Sequence, residues 1–132
     1  MKTSGKIVLL LCVLISGCAI LSEKSRMDRF SRIAGAFENA LLHSDYNAAA
    51  KFIDPSVPIA KPDLLKMKNI KILEYRITRI NVSENKQRIT QDVELQYFRL
   101  NSNRLRNTRY PQVWVWRQKD NIWLLQTGFP SF

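Results

Sequence analysis

The chain has 132 residues, of which 45% are hydrophobic, and a formal net charge of +10 at pH 7. This length suits one domain with a single core and excludes several large domains within it. The excess of basic residues favours an anionic partner, which could be nucleic acid, an anionic membrane or an acidic protein.

The first 17 residues have the layout of a secretory signal. Lys2 and Lys6 supply positive charge, and the nine residues from 7 to 15 are all apolar. That apolar run is shorter than the roughly 20 residues that a membrane-spanning helix needs. Ser16 and Gly17 follow, and both are small enough to enter a peptidase active site.

The run Ile15-Ser16-Gly17-Cys18 resembles the lipobox of bacterial lipoproteins. The resemblance implies that residues 1–17 are a removed signal peptide and that Cys18 carries acyl chains such as palmitate. The domain would then face the periplasm of the cell envelope, anchored to a membrane. An uncleaved N-terminal anchor and a buried helix are the alternatives. Ala19 stands where an Asp favours inner-membrane retention in enterobacterial lipoproteins, so the outer membrane is favoured if that sorting rule applies.

Processing at Cys18 limits the chemistry of the mature chain. Cys12 would leave with the signal, and the remaining cysteine would be a thioether, so a disulfide and cysteine catalysis are excluded. Loss of Lys2 and Lys6 would leave 19 basic against 11 acidic residues, about +8. Export argues against nucleic acid as the ligand. Residues 18–25 would form a brief lipidated tether that keeps the domain close to the bilayer.

Three helices are predicted in the first half of the mature chain. Apolar residues at helical spacing indicate an amphipathic helix over residues 26–43. Asp45 is a good N-cap for a second helix over Tyr46–Ile53. Pro62 suits the first turn of a short third helix over Asp63–Lys68.

After Asn69 the sequence changes to β-forming residues. Ile70–Val82 is rich in β-branched residues, and residues 89–97 alternate in the way that a half-buried strand does. Val113-Trp114-Val115-Trp116 predicts a third strand and Ile122–Thr127 a fourth. The connections between these strands are short, which requires antiparallel neighbours.

Helices followed by antiparallel strands predict an α+β fold, with N-terminal helices packed on a curved four-stranded antiparallel sheet. Three passages, Phe37–Tyr46, Phe52–Val57 and Val113–Leu125, resemble the nuclear transport factor 2-like (NTF2-like) superfamily, a cone of three helices and a curved sheet. The resemblance implies a single NTF2-like domain over residues 26–132 with a pocket between sheet and helices. A cystatin-like helix-on-sheet fold is the alternative. The resemblance does not imply one function.

Aromatic residues on the predicted strands are candidates for a pocket or an interface. Trp114 and Trp116 point to one face of their strand, and Val113 and Val115 point to the other. Either the tryptophans line the cone and the valines meet a partner, or the reverse, and an exposed apolar sheet face would mark an interaction site. The candidates are Tyr75, Tyr97, Tyr110, Trp114, Trp116 and Trp123.

The ionisable residues give little indication of catalysis. His43, the single histidine, falls at the end of the first helix, where a cation favours the helix dipole. Asp92 and Glu94 share one face of the second strand. Salt bridges are expected from them to arginines of neighbouring strands, Arg76, Arg79 or Arg117. No catalytic residue, metal site or cofactor is predicted, since the phosphate-binding and metal-binding motifs are absent.

Four of the scattered basic residues surround one predicted turn and form a candidate basic patch: Arg99, Arg104, Arg106 and Arg109. The sequence therefore predicts a membrane-anchored, non-catalytic interaction module that docks to an envelope protein, or to itself, through the sheet and this patch. A binder or carrier of an apolar small molecule or lipid in the cone pocket is the alternative. An isomerase- or dehydratase-like enzyme ranks last, because the ionisable residues of such pockets are not recognisable.

Overall fold

The computed structural model describes the backbone of residues 2–59 and 61–132 and the side chains of residues 22–59 and 64–132. Within these ranges, helices precede a sheet: α1 (Lys2–Leu42), α2 (Tyr46–Ala50), α3 (Lys61–Met67), β1 (Ile70–Val82), β2 (Arg88–Arg99), β3 (Arg106–Arg117) and β4 (Ile122–Leu125). Neighbouring strands are antiparallel, and their order in the sheet is β1-β2-β3-β4. The predicted α+β class, with helices before a four-stranded antiparallel sheet, is confirmed.

α1 runs from the N-terminal segment into the domain without a break, so the predicted tether over residues 18–25 is helical. Eight helical residues rise about 12 Å, roughly half the reach of an extended tether. Glu23 pairs at 3.5 Å with Lys86 of the turn between β1 and β2, an exposed ion pair that joins the end of this segment to the domain. The side chain of Cys18 lies outside the described residues.

α1 ends where Ser44 adopts a left-handed backbone with φ 58°. The Asp45 N–H donates to the Ala40 carbonyl at 2.8 Å and the Ser44 N–H donates to the Leu41 carbonyl at 3.1 Å. This pair of bonds is the Schellman pattern, which satisfies carbonyls at a helix end. The Asp45 carboxylate then accepts from the Ala48 N–H at 3.1 Å, as the predicted N-cap of α2 should.

α2 ends at Ala50, three residues before the predicted end at Ile53. The chain leaves the helix there to pair with β4. Leu125 donates its N–H to the Phe52 carbonyl and accepts from the Asp54 N–H, both at 2.9 Å. A tighter turn, with the Phe52 and Ile53 N–H groups donating to the Ala49 and Ala50 carbonyls, therefore ends the helix, and the sheet satisfies the Phe52 carbonyl and the Asp54 N–H.

The strand bounds agree closely with the prediction except at β3. β1 matches the predicted range, β2 extends one and two residues beyond the predicted run, β4 ends two residues before Thr127, and α3 begins two residues earlier than Asp63. Differences of one or two residues are usual at element ends. β3 begins at Arg106, seven residues before the predicted Val113, because it pairs with β2 from Arg106 onwards. Register shifts between Ile72 and Glu74 and between Ile77 and Arg79 place two irregularities in β1, which increase the local twist of this edge strand.

The core lies between α1 and one face of the sheet, called the inner face below. The Phe37 ring packs edge-on against Trp114 at 5.6 Å, and Phe30 packs against Trp123 at 5.3 Å. All four side chains are buried and fill the space between helix and sheet. The alternation predicted over residues 89–97 is confirmed, with odd-numbered side chains buried against α1.

Candidate functional site

The tryptophans all face α1. Trp114 and Trp123 are fully buried and Trp116 nearly so, whereas Val113 and Val115 on the outer face are half-buried. This is the first of the two predicted orientations, with the tryptophans in the core and the valines outward. The indole N–H groups donate hydrogen bonds of 2.9 Å within the domain, to Gln112 Oε1, Gln118 Oε1 and the Arg26 carbonyl.

The candidate tyrosines lie on the same inner face and are engaged by contacts within the chain. The Tyr110 hydroxyl donates to the Gly128 carbonyl at 2.7 Å, and the Tyr75 hydroxyl accepts from Gln112 Nε2 at 2.6 Å. Tyr97 packs edge-on against the ring of the last residue at 4.6 Å. Burial raises the pKa of Tyr75 and of Tyr110 well above the ordinary 10.0, so both stay protonated hydrogen-bonding groups.

A polar cluster that the sequence did not point to lies at the centre of the inner face. Gln91 and Gln112 are buried opposite each other on β2 and β3, and Gln112 bridges Tyr75 and Trp114. Glu38 of α1 lies near enough for its charge to help raise the pKa of Tyr75, and partial burial raises its own pKa. The sequence signal for this cluster was the presence of glutamines at buried positions of alternating strands. Amides transfer no protons, so this cluster orients side chains.

His43 caps a helix. It is exposed at the end of α1, and its Nδ1 lies 2.8 Å from the Asn39 carbonyl, which it can contact as a donor. Among the side chains of residues 22–59 and 64–132, no three His, Cys, Asp or Glu groups come together to hold a metal ion.

The acidic pair of β2 lies on the outer face and forms ion pairs. Glu94 contacts the predicted Arg76 at 2.6 Å. Asp92 contacts Arg109 at 3.9 Å, instead of Arg79 or Arg117. These carboxylates are neighbours of solvent-exposed arginines.

Arg117 instead contacts Asp54, which forms a polar node beside β4. The Asp54 carboxylate accepts from the Ser56 N–H at 2.9 Å, the Ser56 hydroxyl at 2.8 Å, Gln126 Nε2 at 2.9 Å and Arg117 Nη2 at 2.8 Å. The Ser56 backbone bond, the side-chain bonds and the arginine charge hold the pKa of Asp54 well below its usual range. The node fixes the segment after α2 to the sheet, which is a structural role.

The four arginines of the candidate basic patch do not share one surface. Arg109 projects from the outer face of β3, where it pairs with Asp92. Arg106 stands an odd number of residues away on the same strand and therefore points to the opposite face. Arg99 ends β2 and Arg104 lies in the turn. The patch is thus narrower than predicted, with three exposed arginines around the turn and the fourth elsewhere.

These three arginines belong to a wider basic surface, where α3 leads into β1 and β2 turns into β3. The Leu100 N–H donates to the Asn69 carbonyl at 2.8 Å and joins the two connections. None of the cations here forms an ion pair within 4.0 Å with a carboxylate that the structure describes. We call this region the basic end, and its members are Lys66, Lys68, Lys71, Arg99, Arg104 and Arg106. Lys71 stands opposite Phe98 on the outer side of β1, and its Nζ donates to the Leu42 carbonyl at 2.8 Å.

A cavity of about 640 Å³ opens at the basic end. It lies between α3, the adjoining ends of β1 and β2, and the C-terminal segment 128–132. Two of the six cations, Lys66 and Arg99, are in its wall together with the amide side chains of Asn69 and Asn101. The remaining lining residues are mostly apolar by type, although polar atoms make up slightly more of the exposed wall than apolar atoms do.

The opposite end of the sheet receives α1 from the N-terminal side. Arg26 Nη1 donates to the carbonyls of residues 85 and 86 at 3.2 and 3.3 Å, and its guanidinium lies 5.4 Å from the Trp116 ring centre. Arg29 donates to the turn between β3 and β4 at 3.2 Å. We call this the proximal end, because α1 reaches it from Cys18.

Several apolar side chains of β1 are more exposed than Val113 and Val115 of the outer face. Ile77, Ile80 and Val82 are each more than 40% exposed. They stand opposite inner-face residues of β2 within the span 89–93, so they lie on the inner side of this edge strand. A sheet-mediated contact would therefore use the β1 edge.

Comparison of the sequence and fold with family models, curated proteins and solved structures returned no match. No helix in the described part of the chain is both long and apolar enough to cross a membrane. The function is accordingly inferred from the two ends of the domain and from the inner face.

Proposed function

We propose that this chain is a bacterial envelope lipoprotein, anchored through Cys18, whose NTF2-like domain is a non-catalytic interaction module. Its basic end receives an acidic envelope protein. The proposal depends on one observation, which is that the two ends of the domain differ. α1 joins the N-terminal segment at the proximal end, while cations crowd the opposite end.

The separation of the two ends follows from α1. Arg26 contacts the proximal end, and the Leu42 carbonyl accepts from Lys71 Nζ at the basic end, at 2.8 Å. The 16 residues between them rise about 24 Å. Cys18 precedes Arg26 by a further eight residues, about 12 Å of helix. A lipid at Cys18 would leave the basic end free to meet a partner away from the attachment point.

The charge of the basic end supports an acidic partner. Six cations without a described carboxylate partner make a positive field that a complementary protein surface would neutralise. Such complementarity raises association rates and fixes orientation, and it weakens with salt. Recovery of the partner should therefore fall as ionic strength rises.

The inner face supports binding over catalysis. Tyr75, Gln112 and Trp114 bond to one another and Tyr110 bonds to the backbone, whereas Gln91 Oε1 is buried without a hydrogen-bond partner among the described residues. Aromatic rings occupy the space where a ligand of the cone would lie. Three helices before a sheet with strands in sequential order agree with the NTF2-like resemblance better than with a cystatin-like fold.

The lipid anchor is tested by metabolic labelling with an alkyne analogue of palmitate. The wild-type protein should take up label and shift to the mature size, and Cys18→Ser should do neither. Cys12→Ser is the matched control and should be labelled normally. Normal labelling and processing of Cys18→Ser would remove the anchor from the proposal.

The interaction is tested by quantitative affinity purification from solubilised membranes. The double variant Arg104→Gln/Arg106→Gln should recover about three- to tenfold less partner than the wild type. Arg79→Gln/Arg88→Gln removes the same charge from exposed arginines away from the basic end, and neither is paired with a described carboxylate. Equal recovery with both double variants would contradict docking at the basic end.

A further inference from the structure

The cavity at the basic end combines features that a protein-docking surface does not need. It is concave, about 640 Å³ in volume, and its wall combines apolar side chains with cations, amides and backbone polar groups, so that polar surface slightly exceeds apolar surface. From this we propose that the cavity binds an anionic amphiphile, a molecule with a carboxylate or phosphate group and an apolar chain or ring. The inference goes beyond the proposed docking function and does not depend on lipidation.

The apolar part of the wall is built from several elements. Met67 and Ile70 are buried where α3 leads into β1, and Phe129 and Phe132 come from the C-terminal segment. Such a wall favours an apolar chain, because each buried CH₂ contributes about 0.8 kcal/mol. The volume falls in the range of roughly 300–1,000 Å³ that is usual for small-molecule sites.

The wall is held in place before any ligand arrives. The Tyr110 hydroxyl donates to the Gly128 carbonyl at 2.7 Å, and the Thr108 hydroxyl donates to the Ser131 carbonyl at 3.2 Å. Phe132 packs edge-on against the buried Tyr97 at 4.6 Å. A preformed wall lowers the entropic cost of binding.

The charge of the ligand follows from the polar side of the cavity. Lys66 and Arg99 both line it, and neither pairs within 4.0 Å with a carboxylate among the described residues. An anionic headgroup would supply the missing partner and accept charge-assisted hydrogen bonds from Arg99. Asn69 and Asn101 add amide donors beside it.

The test uses the full chain in nanodiscs of zwitterionic phospholipid, with a diazirine-bearing palmitate as the photoreactive probe. Labelled residues are mapped by mass spectrometry and should lie in the cavity wall, at residue 59 and in segments 64–70 and 128–132. Unlabelled palmitate and dodecyl phosphate should compete, whereas methyl palmitate should compete about tenfold less well. Inorganic phosphate should compete weakly, and if it competes as well as dodecyl phosphate, the site is an anion site and the proposal fails.

Variants separate charge, apolar wall and background. Lys66→Gln and Arg99→Gln should each reduce labelling about three- to tenfold. Arg88→Gln is the matched control, since Arg88 is an exposed arginine away from the basic end and the cavity, and it should label normally. Phe129→Ala should weaken palmitate and methyl palmitate alike. Equal labelling of Arg99→Gln and Arg88→Gln would overturn the proposal.

Cys18→Ser keeps this proposal distinct from the proposed function. Labelling of the cavity should be unchanged in that variant, whether or not Cys18 is acylated. Near-ultraviolet circular dichroism on every variant shows that the tryptophan core is intact. If Arg99→Gln loses both its near-ultraviolet signal and its labelling, Arg99→Lys is used in its place. This variant keeps the charge and should retain most of the labelling.

Discussion

Replacing Gln112 with leucine should destabilise the domain by about 2 kcal/mol, because this side chain satisfies two partners at once. Its Oε1 accepts from the fully buried Trp114 indole at 2.9 Å, and its Nε2 donates to the Tyr75 hydroxyl at 2.6 Å. The orphaned indole N–H accounts for about 1–3 kcal/mol. The loss of the bond to Tyr75 adds less to the destabilisation, since Tyr75 is only half-buried and its hydroxyl can bond to water. The new leucine offsets part of the loss by burying apolar surface.

Urea unfolding of the full chain in a nonionic detergent, followed by tryptophan fluorescence, measures this change as a shift of midpoint at constant slope. In a thermal scan it corresponds to about 8–16 °C for a domain of this size. Gln118→Leu is the matched control, since Gln118 accepts from the Trp116 indole at the same 2.9 Å but is exposed, and it should cost less than about 0.5 kcal/mol. Equal effects of the two variants would refute the structural role of the buried amide.

Three further predictions concern stability and the ionisation of buried groups. Asp54→Asn should lower the Tm near neutral pH and make the Tm depend less on pH in acid. Because the pKa of Asp54 is lower in the folded than in the unfolded protein, its carboxylate contributes fully to stability above the unfolded pKa of about 3.9, and this contribution is lost as the pH falls below that value. An unchanged acid limb in a Tm-versus-pH series would contradict this. Burial raises the pKa of Tyr75 and of Tyr110, so ultraviolet titration should find both protonated at about pH 11 while the fold persists, and their ionisation near pH 10 would be the opposing result. Ser44→Gly should raise the free energy of unfolding by about 0.5–1 kcal/mol in urea unfolding, because Ser44 has φ 58°, and a loss of stability would show that its side chain matters more than its backbone.

The sheet could be predicted because its signals are local. Alternation over residues 89–97 and the β-branched run of β1 identify strands without knowledge of their partners. The Asp45 cap is equally local, since it needs only the next few N–H groups. The early end of α2 depends instead on pairing with Leu125, which lies far along the chain, and no propensity encodes it.

The candidate site was less predictable because it joins distant segments. The sequence grouped four arginines by one turn, but strand alternation sends Arg109 to the outer face. The lysines of the basic end join the turn through the bond between Leu100 and Asn69, a tertiary contact. A flexible tether would have kept the patch near the bilayer, whereas the helical path of α1 directs Cys18 towards the proximal end. The cavity depends on the C-terminal segment, whose position the sequence does not indicate.

Site-specific photo-crosslinking in native membranes tests the central claim most directly. A benzophenone amino acid is placed at Arg104 of the basic end or at Lys119 of the proximal turn, both of which are exposed. Position 104 should yield a discrete protein crosslink that Arg106→Gln weakens and Arg88→Gln leaves intact, and position 119 should not yield it. The same crosslink from position 119, with none from position 104, would contradict an interaction module that docks through its basic end.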